Sequence, residues 1–327
     1  MTRRRLAAAS LILATLAVAG GAVTLRAAER RAASEEAAHP PSGQFVEVNG
    51  TRVHAWVAGT GPEVVLIHGA FGSLRDFTFD LARRLSESYR VIALDRPGLG
   101  YTGRTEATYA RPFAAAAESP AEQAALLAAA ARALGADRPI VVGHSMGGIV
   151  AMAWALDQDP AAVVMLAGVA LPWPGELGWI YQVNGTALGG GLVAPLLSAW
   201  APEARLREAV RATFAPQPMP EGYADHIGTY MPVRLPAFRA NARQVNTLRP
   251  HVVEMEKRYP ALRLPIEIVH GEADTTVPIA VHSGPLSRMV PSANLTVLSG
   301  IGHMPHHADP EATVAAIDRA ARRAGLR

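Results

Sequence analysis

Two kinds of hydrophobic pattern alternate along the chain from residue 45 onward. Phe45–Val48 and Thr51–Val57 alternate apolar and polar positions on either side of Asn49-Gly50, a dipeptide favoured in two-residue turns, and predict an antiparallel hairpin. Glu63–Ile67, Val91–Leu94, Pro139–Val142, Val163–Ala170, Pro265–Val269 and Leu295–Leu298 are short and almost wholly apolar, as strands buried on both faces must be. Between them, Phe77–Ser88, Pro120–Leu134, Met146–Asp157, Ile279–Val290 and Pro310–Ala324 read as helices. Strands alternating with helices predict an α/β fold: a mostly parallel eight-stranded sheet with helices on both faces. The rhythm fails between Leu171 and Leu262, a Pro- and Gly-rich stretch with helical pieces at Pro202–Phe214 and Leu235–Leu248. This predicts a mainly helical insertion, 172–262, between two halves of a core, 45–171 and 263–327.

The N-terminus follows another pattern. Arg3, Arg4 and Arg5 precede an uncharged run from Leu6 to Leu25, the layout of an export signal, and Ala17-Val18-Ala19 fits a cleavage site. As a helix, twenty residues at ~1.5 Å each also span a ~30 Å hydrocarbon core. Residues 1–25 are therefore expected to be a signal peptide or a signal anchor, leaving the protein exported or membrane-anchored with its folded domain outside the cytoplasm. Residues 26–44 are rich in Ala, Glu and Arg, show no apolar period and are expected to form a linker.

Composition narrows the chemistry. The 327 residues contain no cysteine, which excludes disulfides, a Cys nucleophile and Cys-ligated zinc or iron–sulfur centres. The net charge is +3, yet residues 1–31 hold six arginines against one glutamate, so the remainder is −2 and carries no basic footprint for nucleic acid.

Val141-Val142-Gly143-His144-Ser145-Met146-Gly147-Gly148 reads as strand, tight turn and helix, and fits Gly-x-Ser-x-Gly. The glycines let strand and helix approach while Ser145 occupies a strained turn at positive φ. A hydroxyl needs a base to attack, and the base needs an acid to orient it. His303, on the loop Ser299-Gly300-Ile301-Gly302-His303, and Asp274, in the turn after Val269-His270-Gly271, follow two further strands. Three residues from three strand ends meet at the C-terminal edge of a parallel sheet. Asp95, Glu272 and Asp309 are competing acids, with Asp309 before Pro310 better placed as a helix cap. His306 and His307 are expected on the surface or in a loop, and His144 and His68 in packing. An oxyanion hole needs two N–H groups: one from Met146, the other from the loop after Ile67, at Ala70 in the first place and Phe71 in the second.

With His68-Gly69, Asp95-Arg96-Pro97-Gly98-Leu99-Gly100, Gly143-His144-Ser145-Met146-Gly147, Gly271-Glu272-Ala273-Asp274 and Gly302-His303 in this order, residues 45–327 resemble the α/β-hydrolase superfamily. The resemblance implies that fold, with 172–262 as its cap or lid, and a Ser145–Asp274–His303 triad that uses neither metal nor cofactor. It is shared by carboxylesterases, lipases, C–C bond hydrolases, haloalkane dehalogenases, epoxide hydrolases and haloperoxidases. Ser145 argues against the dehalogenases and epoxide hydrolases, whose nucleophile is Asp. The expected activity is that of a serine hydrolase of carboxylesterase or lipase type on a small, apolar ester or related acyl substrate. C–C bond hydrolysis or acyl transfer on the same triad, and a non-catalytic binding protein on the hydrolase fold, are the alternatives. The cap offers aromatic and apolar residues, Trp173, Trp179, Tyr181 and Trp200 among them, to an apolar pocket.

Overall fold

A computed structural model of the chain describes residues 3–327; Met1 and Thr2, the start of the basic N-terminal segment, lie outside the described residues. Helix α1 (Arg3–Ala38) leads into the hairpin β1 (Gln44–Val48) and β2 (Thr51–Ala58), turned by Asn49 and Gly50 at positive φ. β3 (Glu63–Ile67), α2 (Arg75–Thr78), α3 (Leu81–Leu85) and β4 (Arg90–Leu94) follow, then α4 (Pro120–Ala133), β5 (Ile140–His144), α5 (Met146–Asp157) and β6 (Ala162–Leu166). Six helices form the segment between β6 and the next strand: α6 (Trp179–Asn184), α7 (Ala194–Trp200), α8 (Glu203–Ala212), α9 (Tyr223–Ile227), α10 (Leu235–Asn246) and α11 (Leu248–Glu256). β7 (Ile266–Gly271), α12 (Ser283–Met289), β8 (Ala293–Leu298), α13 (Pro305–Ala308) and α14 (Pro310–Arg323) complete the chain.

The eight strands form one sheet in the order β1-β2-β4-β3-β5-β6-β7-β8. β1 and β2 pair antiparallel with each other and β2 antiparallel with β4; every pairing from β4 to β8 is parallel. The central strands are apolar on both faces because helices cover both. On one face Val65, Val141 and Met165 meet Leu127 of α4 and Ile149 and Trp154 of α5. On the other, Leu66, Val142 and Val164 meet Phe77 of α2, Leu81 of α3 and Ile317 of α14. Local signals start the helices: Ser119 and Glu122 form a capping box on α4, and Asp309 accepts from the Ala312 N–H at the start of α14.

Three expectations change. The helix over 77–88 is two short helices, because the chain turns out of helical geometry at Asp80, at φ −145°. The strand expected to run to Ala170 ends at Leu166, because Ala167 sits at φ +46° and the chain curls so that the Val169 N–H donates to the Ser145 carbonyl. Residues 26–38, read as linker, continue α1. Ala, Glu and Arg favour helix intrinsically, and this helix rests on the cap. Thr24 and Ala28 are buried, Arg31 lies over the Tyr230 ring at 4.3 Å, and Glu36 pairs with Arg234.

Candidate active site

The site is assembled where the parallel strands end. β5 delivers Ser145 into a turn at φ +51°, ψ −118°, directly before α5. The flanking residues have no room for a side chain: a Cβ on Gly143 would lie 2.2 Å from the Gly147 carbonyl oxygen, and one on Gly147 would lie 2.1 Å from that of Ile67. Crowding on both sides therefore holds the serine in its strained turn.

The loops after β7 and β8 bring the other two candidates to it. Ser145 Oγ lies 3.0 Å from His303 Nε2, and His303 Nδ1 lies 2.8 Å from Asp274 Oδ2. The second carboxylate oxygen of Asp274 accepts the backbone N–H groups of Thr276 at 2.8 Å and Val277 at 3.0 Å. Burial alone would raise the Asp274 pKa. Hydrogen bonds from His270 and His303, the charge of His303 and the Val277 N–H outweigh burial and hold the carboxyl well below its ordinary range. Ser145, His303 and Asp274 thus form one hydrogen-bonded relay, buried except for the face toward a cavity.

The competing acids are occupied elsewhere. Asp95 accepts from His54 Nδ1 at 2.7 Å, the Leu74 N–H at 2.7 Å and the Tyr101 N–H at 2.9 Å, tying its own loop to β2 and to the loop after β3. Glu272 accepts from the exposed Ser299 hydroxyl, and Asp309 caps α14.

The loop after β3 is braced by buried polar groups. His68 accepts the Arg96 N–H at Nε2 and donates through Nδ1 to the Gly69 carbonyl. Burial and the neighbouring Arg96 lower its pKa to about 4, so this imidazole is neutral. The Phe71 N–H, the second choice for the loop donor, donates to Asn241 Oδ1 of α10 at 2.8 Å, which leaves Ala70, the first choice, as the candidate. Among the described residues, neither the Ala70 nor the Met146 N–H meets a protein acceptor.

Behind the relay lies a cluster of polar groups that the sequence does not announce. Asp76 of α2 accepts from Tyr223 Oη at 2.7 Å, His307 Nε2 at 2.8 Å and His306 Nε2 at 3.2 Å. His306 and His307 are therefore packed inside rather than displayed at the surface. Burial opposes the charge on Asp76, but His306 and His307 outweigh it and hold the carboxyl well below its usual range. His144 joins the cluster to the relay: its Nε2 donates to the His303 carbonyl at 3.0 Å, and its ring lies 4.5 Å from that of His306. Burial, with His306 and His303 beside it, keeps His144 neutral. Ligand atoms of Asp76, His306 and His307 lie within 4.8 Å of one another, near enough to share a cation, but here they bond each other.

A cavity of about 380 Å³ opens in front of Ser145. Its floor is Ala70, Phe71, Ser145 and His303; its walls are cap residues, chiefly Ile180, Leu197, Val210, Val233 and Phe238. The lining is mainly apolar.

A model of the Alpha/beta hydrolase family matches residues 64–316. An uncharacterized protein of Mycobacterium tuberculosis is 27% identical over 291 residues, covering 86% of this chain and 81% of that one. Among solved structures, a bacterial membrane phospholipase A aligns with a TM-score of 0.66 at 22% identity, covering 98% of this chain and 99% of the other. An esterase from Thermogutta terrifontis aligns with a TM-score of 0.67 at 22% identity, covering 86% and 99%. With the fold, the turn at Ser145 and a family match over most of its length, the chain belongs to the Alpha/beta hydrolase family.

Proposed function

We propose that the protein is a serine hydrolase that cleaves an ester or related acyl bond through an acyl-enzyme. The relay from Ser145 Oγ through His303 to Asp274 is the observation that carries this reading. His303 Nε2 takes the Ser145 proton as Oγ attacks the carbonyl, and the Ala70 and Met146 N–H groups hold the resulting oxyanion. The imidazolium returns its proton to the departing alcohol. Water then repeats the sequence on the acyl-enzyme and frees the acid and Ser145. Asp274 holds His303 with Nδ1 protonated and stabilises the imidazolium. The apolar cavity favours an apolar acyl group over a polar one. The uncharged run of α1 is read as the segment that directs the domain out of the cytoplasm or holds it at a membrane, with the cap helices as the lid over the site.

The test is intact-mass detection of a fluorophosphonate adduct on the folded protein. One adduct is expected, lost in Ser145→Ala. A folded wild-type protein that takes no adduct overturns the proposal. Incubation of the labelled site's substrates with a competing alcohol then separates hydrolysis from acyl transfer by product.

A further inference from the structure

The cap exposes a row of large apolar side chains that nothing among the described residues covers. Leu188, Leu192, Leu196 and Trp200 recur every four residues along the π-turn Gly189–Val193 and α7, and each is more than half exposed. Trp179 and Val183 of α6 add to the same exposed apolar set. The opposite side of the run, Gly190, Ala194, Ser198 and Ala199, is buried. A contiguous apolar ridge of this kind is costly in water and marks a surface with a partner.

Three observations say which partner. The first is continuity. α1 packs along α7, and Trp200 Nε1 reaches Thr24 Oγ1 at 3.5 Å. On the N-terminal side of Thr24, α1 is exposed and apolar, at Leu11, Ile12, Leu13, Leu16, Val18 and Val23, within a helix long and apolar enough to cross a membrane. Ridge and helix thus meet at a tryptophan, the residue enriched where hydrocarbon gives way to headgroups. The second is charge. Just past that junction Arg26 and Arg30 are exposed, placed for anionic headgroups. The third is the cavity. Trp179 is exposed yet lines the cavity before Ser145, and Leu197 and Ala201, each one residue beyond a ridge position, line it too. The cavity mouth therefore lies beside the ridge.

We infer that the ridge Leu188–Leu192–Leu196–Trp200 docks in the interfacial layer of the lipid bilayer that holds α1, and that the cavity fills from that bilayer, making the acyl substrate a membrane lipid. The substrate half rests on the hydrolase reading above; the docking half does not.

Because the chain has no cysteine, Leu192→Cys supplies a unique thiol for an environment-sensitive fluorophore. The full chain is reconstituted into vesicles of phosphatidylethanolamine and phosphatidylglycerol. The probe at 192 is expected to shift to the blue and to be quenched by lipids spin-labelled near the headgroup. The same probe at Arg138→Cys, on the opposite edge of the sheet, stays water-like. Equal spectra and equal quenching at the two positions overturn the docking. So does a blue shift at 192 without lipid quenching, which would place a second copy of the chain on the ridge. For loading, Leu192→Glu with Leu196→Glu is expected to slow cleavage of vesicle phosphatidylglycerol about tenfold while p-nitrophenyl acetate hydrolysis in water stays within about twofold. Equal loss on both substrates overturns it. Failure to cleave either ester in the wild type falls on the hydrolase reading, and the quenching still decides the docking.

Discussion

Replacing Asp274 by Asn tests whether the carboxylate sets the state of the base or only fills space. The two are isosteric, so the backbone is undisturbed. The position of the amide is dictated by the turn: the site of Oδ1 accepts two N–H groups, from Thr276 and Val277. An amide nitrogen there would face two donors, so the Asn oxygen takes that site and its NH₂ replaces Oδ2, 2.8 Å from His303 Nδ1. His303 must then accept at Nδ1 and carry its proton on Nε2, aimed at Ser145 Oγ. A base in that tautomer cannot take the serine proton, and the imidazolium loses its counter-charge. The cost is about 10⁴-fold in kcat, or about 5 kcal/mol of barrier. KM should move little, because Asp274 is screened from the cavity by His303. Initial rates on a p-nitrophenyl ester, with thermal melts to show that the variant is folded, decide the matter. A folded Asp274→Asn protein that keeps a tenth or more of wild-type kcat, at about 1.4 kcal/mol of barrier, would refute the reasoning.

Other consequences follow from the buried polar groups. Asp76→Ala orphans Tyr223, His306 and His307 in the interior and should cost about 3–5 kcal/mol in urea denaturation; a midpoint shift within error contradicts the hub described above. Gly147→Ala drives a Cβ against the Ile67 carbonyl and should yield insoluble or inactive protein, whereas a soluble variant of wild-type rate would show that the turn can relax. His68 is neutral in the folded state down to about pH 4 but takes up a proton near 6.5 when unfolded. Stability must therefore fall as pH drops through that window, by about 3 kcal/mol for this group. Denaturation midpoints that stay flat from pH 7 to 5, or that drop equally in His68→Gln, would show that this imidazole does not supply the slope.

The parts of the molecule that can be read from the sequence are those whose cause is local. Parallel strands buried on both faces must be apolar throughout, so β3 to β7 stand out. The turn at Ser145 needs glycines at fixed offsets, so it stands out as well. What is hidden has its cause far along the chain. Nothing beside His306 and His307 indicates that they are buried, because their partner Asp76 lies about 230 residues away. Asn241 is one polar residue on an amphipathic cap helix until the loop after β3 presents the Phe71 N–H to it. The same cause explains why the helix over 77–88 is broken: α2 and α3 pack separately, and α2 carries Asp76 to the cluster.

The N-terminal helix is the sharpest case. Its contacts with the cap fall at Thr24, Ala28 and Arg31, a helical spacing, but the residues are small or charged and leave no apolar period to detect. What identifies the interface is the partner set. Arg31 meets Tyr230 and the Ala199 carbonyl, while Glu36 meets Arg234, which also donates to the Gly100 carbonyl of the loop that Asp95 anchors. Arg234 thus joins α1, cap and core at one point. A helix held only by a flexible linker would leave the domain free to tumble. On the docking proposed above, a helix fastened at Trp200, Tyr230 and Arg234 fixes which face of the cap meets the bilayer, and the exposed ridge is on the side where Trp200 touches it.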